Sequence, residues 1–127
     1  MPVTWEIRGS RLRLSLSGTH TLDELEKAAG EVLDSPMFRP GMSVLVDVRL
    51  ATVSPSAEEI RDRVARLAPY LARFSPSREC AIVTGSDPHR YGINKSIASF
   101  GSRAGFDVRV FHELDEALGW LAGAESA

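Results

Sequence analysis

From Val3 to Ser17 the chain alternates apolar and polar positions. Val3, Trp5 and Ile7 interleave with Thr4, Glu6 and Arg8, and Leu12, Leu14 and Leu16 interleave with Arg11, Arg13, Ser15 and Ser17. A period of two puts one side of each strand in a core and the other in water. Gly9-Ser10, a two-residue connection with glycine first, suits a type II′ turn. Val3–Arg8 and Arg11–Ser17 are therefore predicted to form an antiparallel hairpin toward one edge of a sheet. The run Ser43–Arg49, SVLVDVR, differs: Val44, Val46 and Val48 oppose Leu45, so both faces are apolar, as in a buried central strand. Glu79–Thr84, with Cys80, Ala81, Ile82 and Val83, reads the same way, and Asp107–Phe111 is a last strand.

Between these strands the period lengthens to that of a helix. Leu22, Leu25, Ala29, Val32 and Leu33 stripe a helix from about Thr21 to Asp34, and Thr21 and Glu24 have capping-box spacing. Ser35–Met42, with two prolines and a glycine, is a turn-rich connection. A second helix begins near Ser54 or Ser56 and carries Ile60, Val64, Leu67, Leu71 and Phe74; Ser75–Ser77 ends it. Pro69 lies within it and predicts a kink or break, because it lacks a backbone donor and crowds the preceding turn. Gly85-Ser86-Asp87-Pro88 opens a third helix with Ile93, Ile97, Phe100 and Ala104 on one stripe, and Gly105 is placed to end it. Leu114–Ala122 is a short final helix with Leu114, Leu118 and Leu121 inward.

The order ββαβαβαβα predicts an α/β domain over residues 1–127. Its five-stranded sheet is mixed but mostly parallel, with right-handed crossovers and an N-terminal antiparallel hairpin. Because the third and fourth strands are apolar on both faces, some helix must cover the second face near the middle.

Composition narrows the function. At 127 residues, with 43% apolar and 25% charged residues, the chain is an ordinary globular length and mix. A net charge of −2 argues against nucleic acid as a partner. The single cysteine, Cys80, cannot form an internal disulfide, which with the absence of a signal-peptide core in MPVTWEIRG predicts a cytoplasmic protein. No apolar stretch approaches the ~20 residues that span a bilayer.

The element order, the strand ending Asp47-Val48-Arg49, the run Cys80-Ala81-Ile82-Val83 and the close Val110-Phe111 … Glu116-Ala117-Leu118-Gly119-Trp120-Leu121 resemble the SpoIIAA-like family. That family belongs with the STAS and Sec14-like superhelical α/β folds. The resemblance covers nearly the whole chain and implies a βα superhelix in which consecutive strands are neighbours. It also implies a regulatory, protein-binding role. In anti-sigma-factor antagonists of this fold a phosphorylatable serine follows the central strand in an Asp-Ser-Ser-Gly-like motif. Here that stretch reads Thr52-Val53-Ser54-Pro55-Ser56-Ala57, so Ser54 or Ser56 takes the serine's place by loop length, without the aspartate and glycine. The lipid-carrying relatives imply a ligand pocket.

The candidate chemistry gathers at the carboxyl ends of the third and fourth strands, where open α/β sheets bind ligands. Asp47 is a carboxylate late in an apolar strand, a position for a perturbed functional group or for a rim acceptor of loop amides. Arg49 leaves the same strand. Ser54 and Ser56 are phosphoacceptor candidates or helix caps, Ser56 with Glu59 as capping-box partner. Gly85, Ser86, His89 and Arg90 open the third helix, whose free amides and dipole, helped by Arg90 and Lys95, suit a phosphate or carboxylate. The plainer reading of that turn is a capped helix with a solvated basic face. His20, His89 and His112 lie apart, so no metal site is expected, and no nucleophile elbow or other catalytic signature appears. The basic positions Arg61, Arg63 and Arg66, interleaved with Glu58, Glu59 and Asp62, read as a solvated surface.

These features point first to a small non-enzymatic regulatory or protein-interaction module without a cofactor, monomeric or homodimeric, whose partner is another protein. The alternative is a carrier or sensor of a small anionic or lipid-like ligand at the strand ends. That alternative requires an apolar cavity of roughly 300 Å³ or more beside the rim.

Overall fold

The structure, a computed structural model, describes residues 2–52, 56–73, 79–103 and 107–125. Its elements follow the predicted order: β1 (Val3–Arg8), β2 (Arg11–Gly18), α1 (Leu22–Asp34), β3 (Ser43–Ala51), α2 (Ala57–Arg73), β4 (Glu79–Val83), α3 (Pro88–Arg103), β5 (Asp107–Phe111) and α4 (Leu114–Glu125). The strands lie side by side in chain order, β1 antiparallel to β2 and every later pair parallel. Arg8 pairs with Arg11 across the two-residue turn, and Gly9 takes φ +58°, a conformation that glycine adopts without steric cost.

β3 runs two residues past its predicted end. The register slips between Ser15 and Ser17 of β2, and this irregularity lets Leu50 and Ala51 continue the ladder against Ser17 and Gly18. The predicted ends of α2 at Ser75–Ser77 and of α3 at Gly105 lie outside the described residues, as do the inward placements of Leu71, Phe74, Phe100 and Ala104.

Helix starts follow the predicted chemistry. The Thr21 hydroxyl accepts from the Glu24 amide at 3.1 Å, while the Glu24 carboxylate accepts from the Thr21 amide at 3.0 Å. The Ser56 hydroxyl accepts from the Glu59 amide at 3.2 Å, and Glu59 accepts from the Ser56 amide at 3.2 Å. Each closes a capping box over otherwise unpaired helix-end donors. Ser56→Ala is expected to cost ~1 kcal/mol of stability in a denaturant titration. An unchanged midpoint would remove the cap from the account.

Of the kink or break predicted at Pro69, the break is not found: α2 continues through it to Arg73. Pro69 and Ala65, whose carbonyl loses its donor, are both exposed, so water can satisfy that carbonyl. The proline therefore removes one bond without ending the helix.

The two faces of the sheet are covered differently. α4 lies across β3, β4 and β5, where Leu45, Ala81, Val83, Ala117 and Leu121 are buried together. This supplies the second-face cover that the two-sided strands demanded. On the opposite face Val32 and Leu33 of α1 pack with Ile7, Leu12 and Met42, and Leu25 of α1 packs with Leu16, Val48 and Ile82. α2 has a different place. Its close backbone neighbours are α1 and α3 rather than the strands.

Candidate functional site

The space between α2 and the sheet is a cavity of about 340 Å³. Its floor is made by the helix-facing side chains of the strands, among them Leu14, Val46, Val48, Ile82 and Val108, and Val64 and Leu67 of α2 form its roof. The contrast within β3 shows how incomplete the packing is. Leu45, facing α4, is fully buried, whereas its neighbours Val44 and Val46, facing α2, are only half-buried. α2 is fastened across this opening by polar contacts to α1: Arg66 pairs with Asp23 and Glu26, and the Tyr70 hydroxyl donates to Glu26 at 3.2 Å.

Cys80 lines the cavity from β4. Its thiol is packed among apolar neighbours, and that burial pushes it up to about 12. It is thus a poor nucleophile at neutral pH.

Polar side chains collect at the carboxyl end of the sheet: His20 after β2, Thr52 after β3, Arg63 on α2, and Asp87, His89 and Arg90 at the start of α3. Asp87 accepts from the amides of His89 at 2.9 Å and Arg90 at 3.4 Å, so it caps α3 and takes up donors that an anion would otherwise find. Arg90 donates to the Thr84 carbonyl at 3.1 Å and the Ala51 carbonyl at 2.9 Å, tying the ends of β4 and β3 together. Gly85 turns the chain from β4 toward α3 at φ +76°, and the Arg49 side chain lies 3.6 Å from where a β-carbon would stand. Ser86 is exposed beside it.

Asp47 and Arg49 do not reach this cavity. Val44, Val46 and Val48 face α2, so Asp47 and Arg49 share the α4 side of the sheet with Leu45. There Arg49 grips Asp47 with two side-chain bonds of 2.9 and 2.7 Å, its own amide adds a third at 3.1 Å, and Arg13 approaches from β2 at 3.4 Å. Burial pushes the Asp47 carboxyl up, but the hydrogen bonds from Arg49, with the charges of Arg49 and Arg13, outweigh it and hold the group below its ordinary 3.8. The cluster's contribution is therefore fully present above that value, declines as pH falls below it, and is gone once pH passes the lowered value. Asp47→Asn is expected to flatten this acid limb in pH-dependent unfolding. An unaltered limb would contradict the linkage.

Ser54 lies outside the described residues, and Ser56 is the exposed cap of α2. The residues thus fall into two groups. His89 and Arg90 stand at the cavity's polar end, whereas Asp47 and Arg49 hold a separate ion cluster on the other face, with Gly85 against the Arg49 side chain and Ser86 exposed next to it.

Sequence reasoning missed His20 and Arg63. His20 is only 5% exposed, and Arg63, read as part of a solvated surface, is half-buried. The signal was present: Arg63 sits with Ile60, Val64 and Leu67 on the apolar stripe of α2, where a charge calls for an explanation. Burial lowers the His20 pKa first, and the nearby Arg63 charge lowers it further; Glu24 and the Gly18 carbonyl pull more weakly the other way. Burial likewise lowers Arg63, against the attraction of Glu59.

Among the described residues no three His, Cys, Asp or Glu side chains lie together as a metal cluster would require, and no helix is long and apolar enough to cross a membrane. The sequence pattern of the SpoIIAA-like family matches residues 11–122 of this chain. No curated protein matches it.

Proposed function

Starting from a chain that belongs to the SpoIIAA-like family, and so is a regulatory or interaction module of the STAS type, we propose that it acts without catalysis by taking an elongated apolar ligand beneath α2. The observation that carries this reading is the cavity of about 340 Å³, which reaches the size of small-molecule sites and is lined chiefly by aliphatic side chains from four strands and the helices over them. An aliphatic lining of this kind faces water where the cavity opens, and covering it with an apolar chain is favourable.

Occupancy would be read out through α2. That helix rests on the cavity contents and on polar contacts to α1, and its outer face is open to a protein partner in the cytoplasm. Of the residues marked in the sequence, His89 and Arg90 would border the ligand's polar end, while Ser56, Gly85 and Ser86 shape the ends of the helices around it. This unites the two readings of the sequence, an interaction module and a ligand sensor.

Titration with the neutral dye N-phenylnaphthylamine tests the reading. Saturable one-to-one fluorescence enhancement, displaced by long-chain amphiphiles, is expected. An absence of saturable enhancement would remove the ligand from the account and leave the interaction module alone.

A further inference from the structure

We propose that His20 and Arg63 select, for this cavity, a ligand with a single carboxylate on an unbranched chain. The inference rests on the reading of the cavity as a ligand site and adds the chemistry of the head group.

The first observation is a missing acceptor. His20 is 5% exposed, and its Nδ1 is buried without a hydrogen-bond partner. Its Nε2 lies 3.4 Å from the Arg63 Nη1. A guanidinium has no acceptor, so Nε2 must accept and, in the neutral ring, the hydrogen must sit on Nδ1. The Gly18 carbonyl is near enough to the ring to raise its pKa weakly as a hydrogen-bond acceptor, but no bond to Nδ1 of ordinary length and angle is formed. His20 therefore holds a buried N–H donor beside an apolar cavity, with no well-formed hydrogen bond to it among the described residues.

Arg63 supplies the second observation. It is half-buried, yet among the described residues its guanidinium forms no ion pair; Glu59, one turn earlier, attracts it only from a distance. Arg66, on the same helix, has both Asp23 and Glu26. A desolvated cation with no counterion and an orphan N–H thus adjoin one another at one end of a greasy space. Together they offer donors to two oxygens and compensation for one negative charge, which is what a carboxylate brings.

Two competing head groups fit less well. A neutral alcohol could satisfy His20 but would leave Arg63 without an anion. A phosphate monoester carries about −1.5 to −2 charges at neutral pH, more than one guanidinium offsets, and Asp87 borders the same end of the cavity. The tail is set by shape. Val44 and Ala51 both line the cavity, and seven residues of strand separate them by about 23 Å, so the floor is a long apolar strip that suits one extended chain.

The test measures displacement of N-phenylnaphthylamine by dodecanoate, dodecanol and dodecyl phosphate, at mildly alkaline pH and below micelle concentrations. It uses the whole protein and its Arg63→Met and His20→Phe variants. Dodecanoate should bind the unaltered protein at least ~10-fold more tightly than dodecanol, and Arg63→Met should weaken dodecanoate by about 10- to 100-fold, the range of a hydrogen bond to a charged group. Dodecanol and dye affinities should stay within about 3-fold in that variant, which shows that its cavity remains formed. His20→Phe should weaken dodecanoate selectively too, and dodecanoate should shift the ¹⁵N resonance of the His20 Nδ1 in the unaltered protein. Affinity should rise ~4-fold per added methylene from octanoate upward until the cavity is full. Equal affinity for dodecanoate and dodecanol, a preference for dodecyl phosphate, or an unmoved Nδ1 resonance would each overturn the proposal while dye binding upheld the cavity. If the dye does not bind either, the reading of the cavity falls first and this one with it.

Discussion

Leu121→Ala is expected to lower the free energy of unfolding by about 3 kcal/mol, within the range for a fully buried leucine truncated in a close-packed site. In a domain of this size that corresponds to a melting temperature roughly 10 °C lower. Leu121 has no exposed surface and packs with Leu45, Ala81, Val83 and Ala117, so removing its branch opens a hole between α4 and the middle of the sheet. The neighbours are two strands and a helix backbone, which cannot collapse far into the gap. Leu118, half-buried on the same helix, should lose ~1 kcal/mol in the same experiment. Denaturant titration of both variants measures the pair. Similar losses at the two positions, or less than about 1 kcal/mol at Leu121, would mean that α4 does not close this face as described.

Val46→Trp should do the opposite of what bulk does in an ordinary core. Forcing a larger side chain into packed space costs about 1–3 kcal/mol or more. Val46, however, points at the cavity under α2 and is only half-buried. The indole is expected to occupy that space, changing stability by less than about 1 kcal/mol while weakening dye and dodecanoate binding at least ~100-fold. The adjacent Leu45 supplies the contrast, because it faces α4 with no exposed surface. Leu45→Trp should be severely destabilising. If both substitutions destabilise alike, the two faces of β3 are equally packed and the cavity is not a usable volume.

Much of the fold was legible because local signals agreed with the tertiary arrangement. The alternation in β1 and β2, the two capping boxes and the two-sided apolar character of β3 and β4 each have a direct structural counterpart. Even the cover of the second sheet face followed, since apolar side chains on both sides of β3 require it. The cavity was less legible. The stripe Ile60, Val64, Leu67 reads the same whether its helix rests on strands or roofs a void; the distance from helix to sheet is set by everything around it. The grouping of Asp47 with the ends of the third and fourth strands overlooked parity, for Val44, Val46 and Val48 already assign Asp47 and Arg49 to the other face. Arg63 was hidden by its company. Three arginines among acids look like a solvated surface, and only its helical position separates it from Arg61.

Pro69, where a kink or a break is expected and the helix does not break, shows where a local rule yields. The rule concerns a lost hydrogen bond and a clash, and its consequence depends on whether the orphaned carbonyl meets water. At Ala65 it can, because that side of α2 is exposed.

Cys80 offers the most direct measurement of the central claim, that the space under α2 is a ligand site. It is the sole cysteine of the chain, it lines the cavity, and its raised pKa makes its modification slow enough to follow. The rate of Cys80 methanethiosulfonate labelling, read from intact mass with and without dodecanoate, reports occupancy at that wall. The account predicts that labelling slows in proportion to dodecanoate saturation and that Val46→Trp abolishes this dependence. Labelling at one unchanged rate across the whole titration would contradict it.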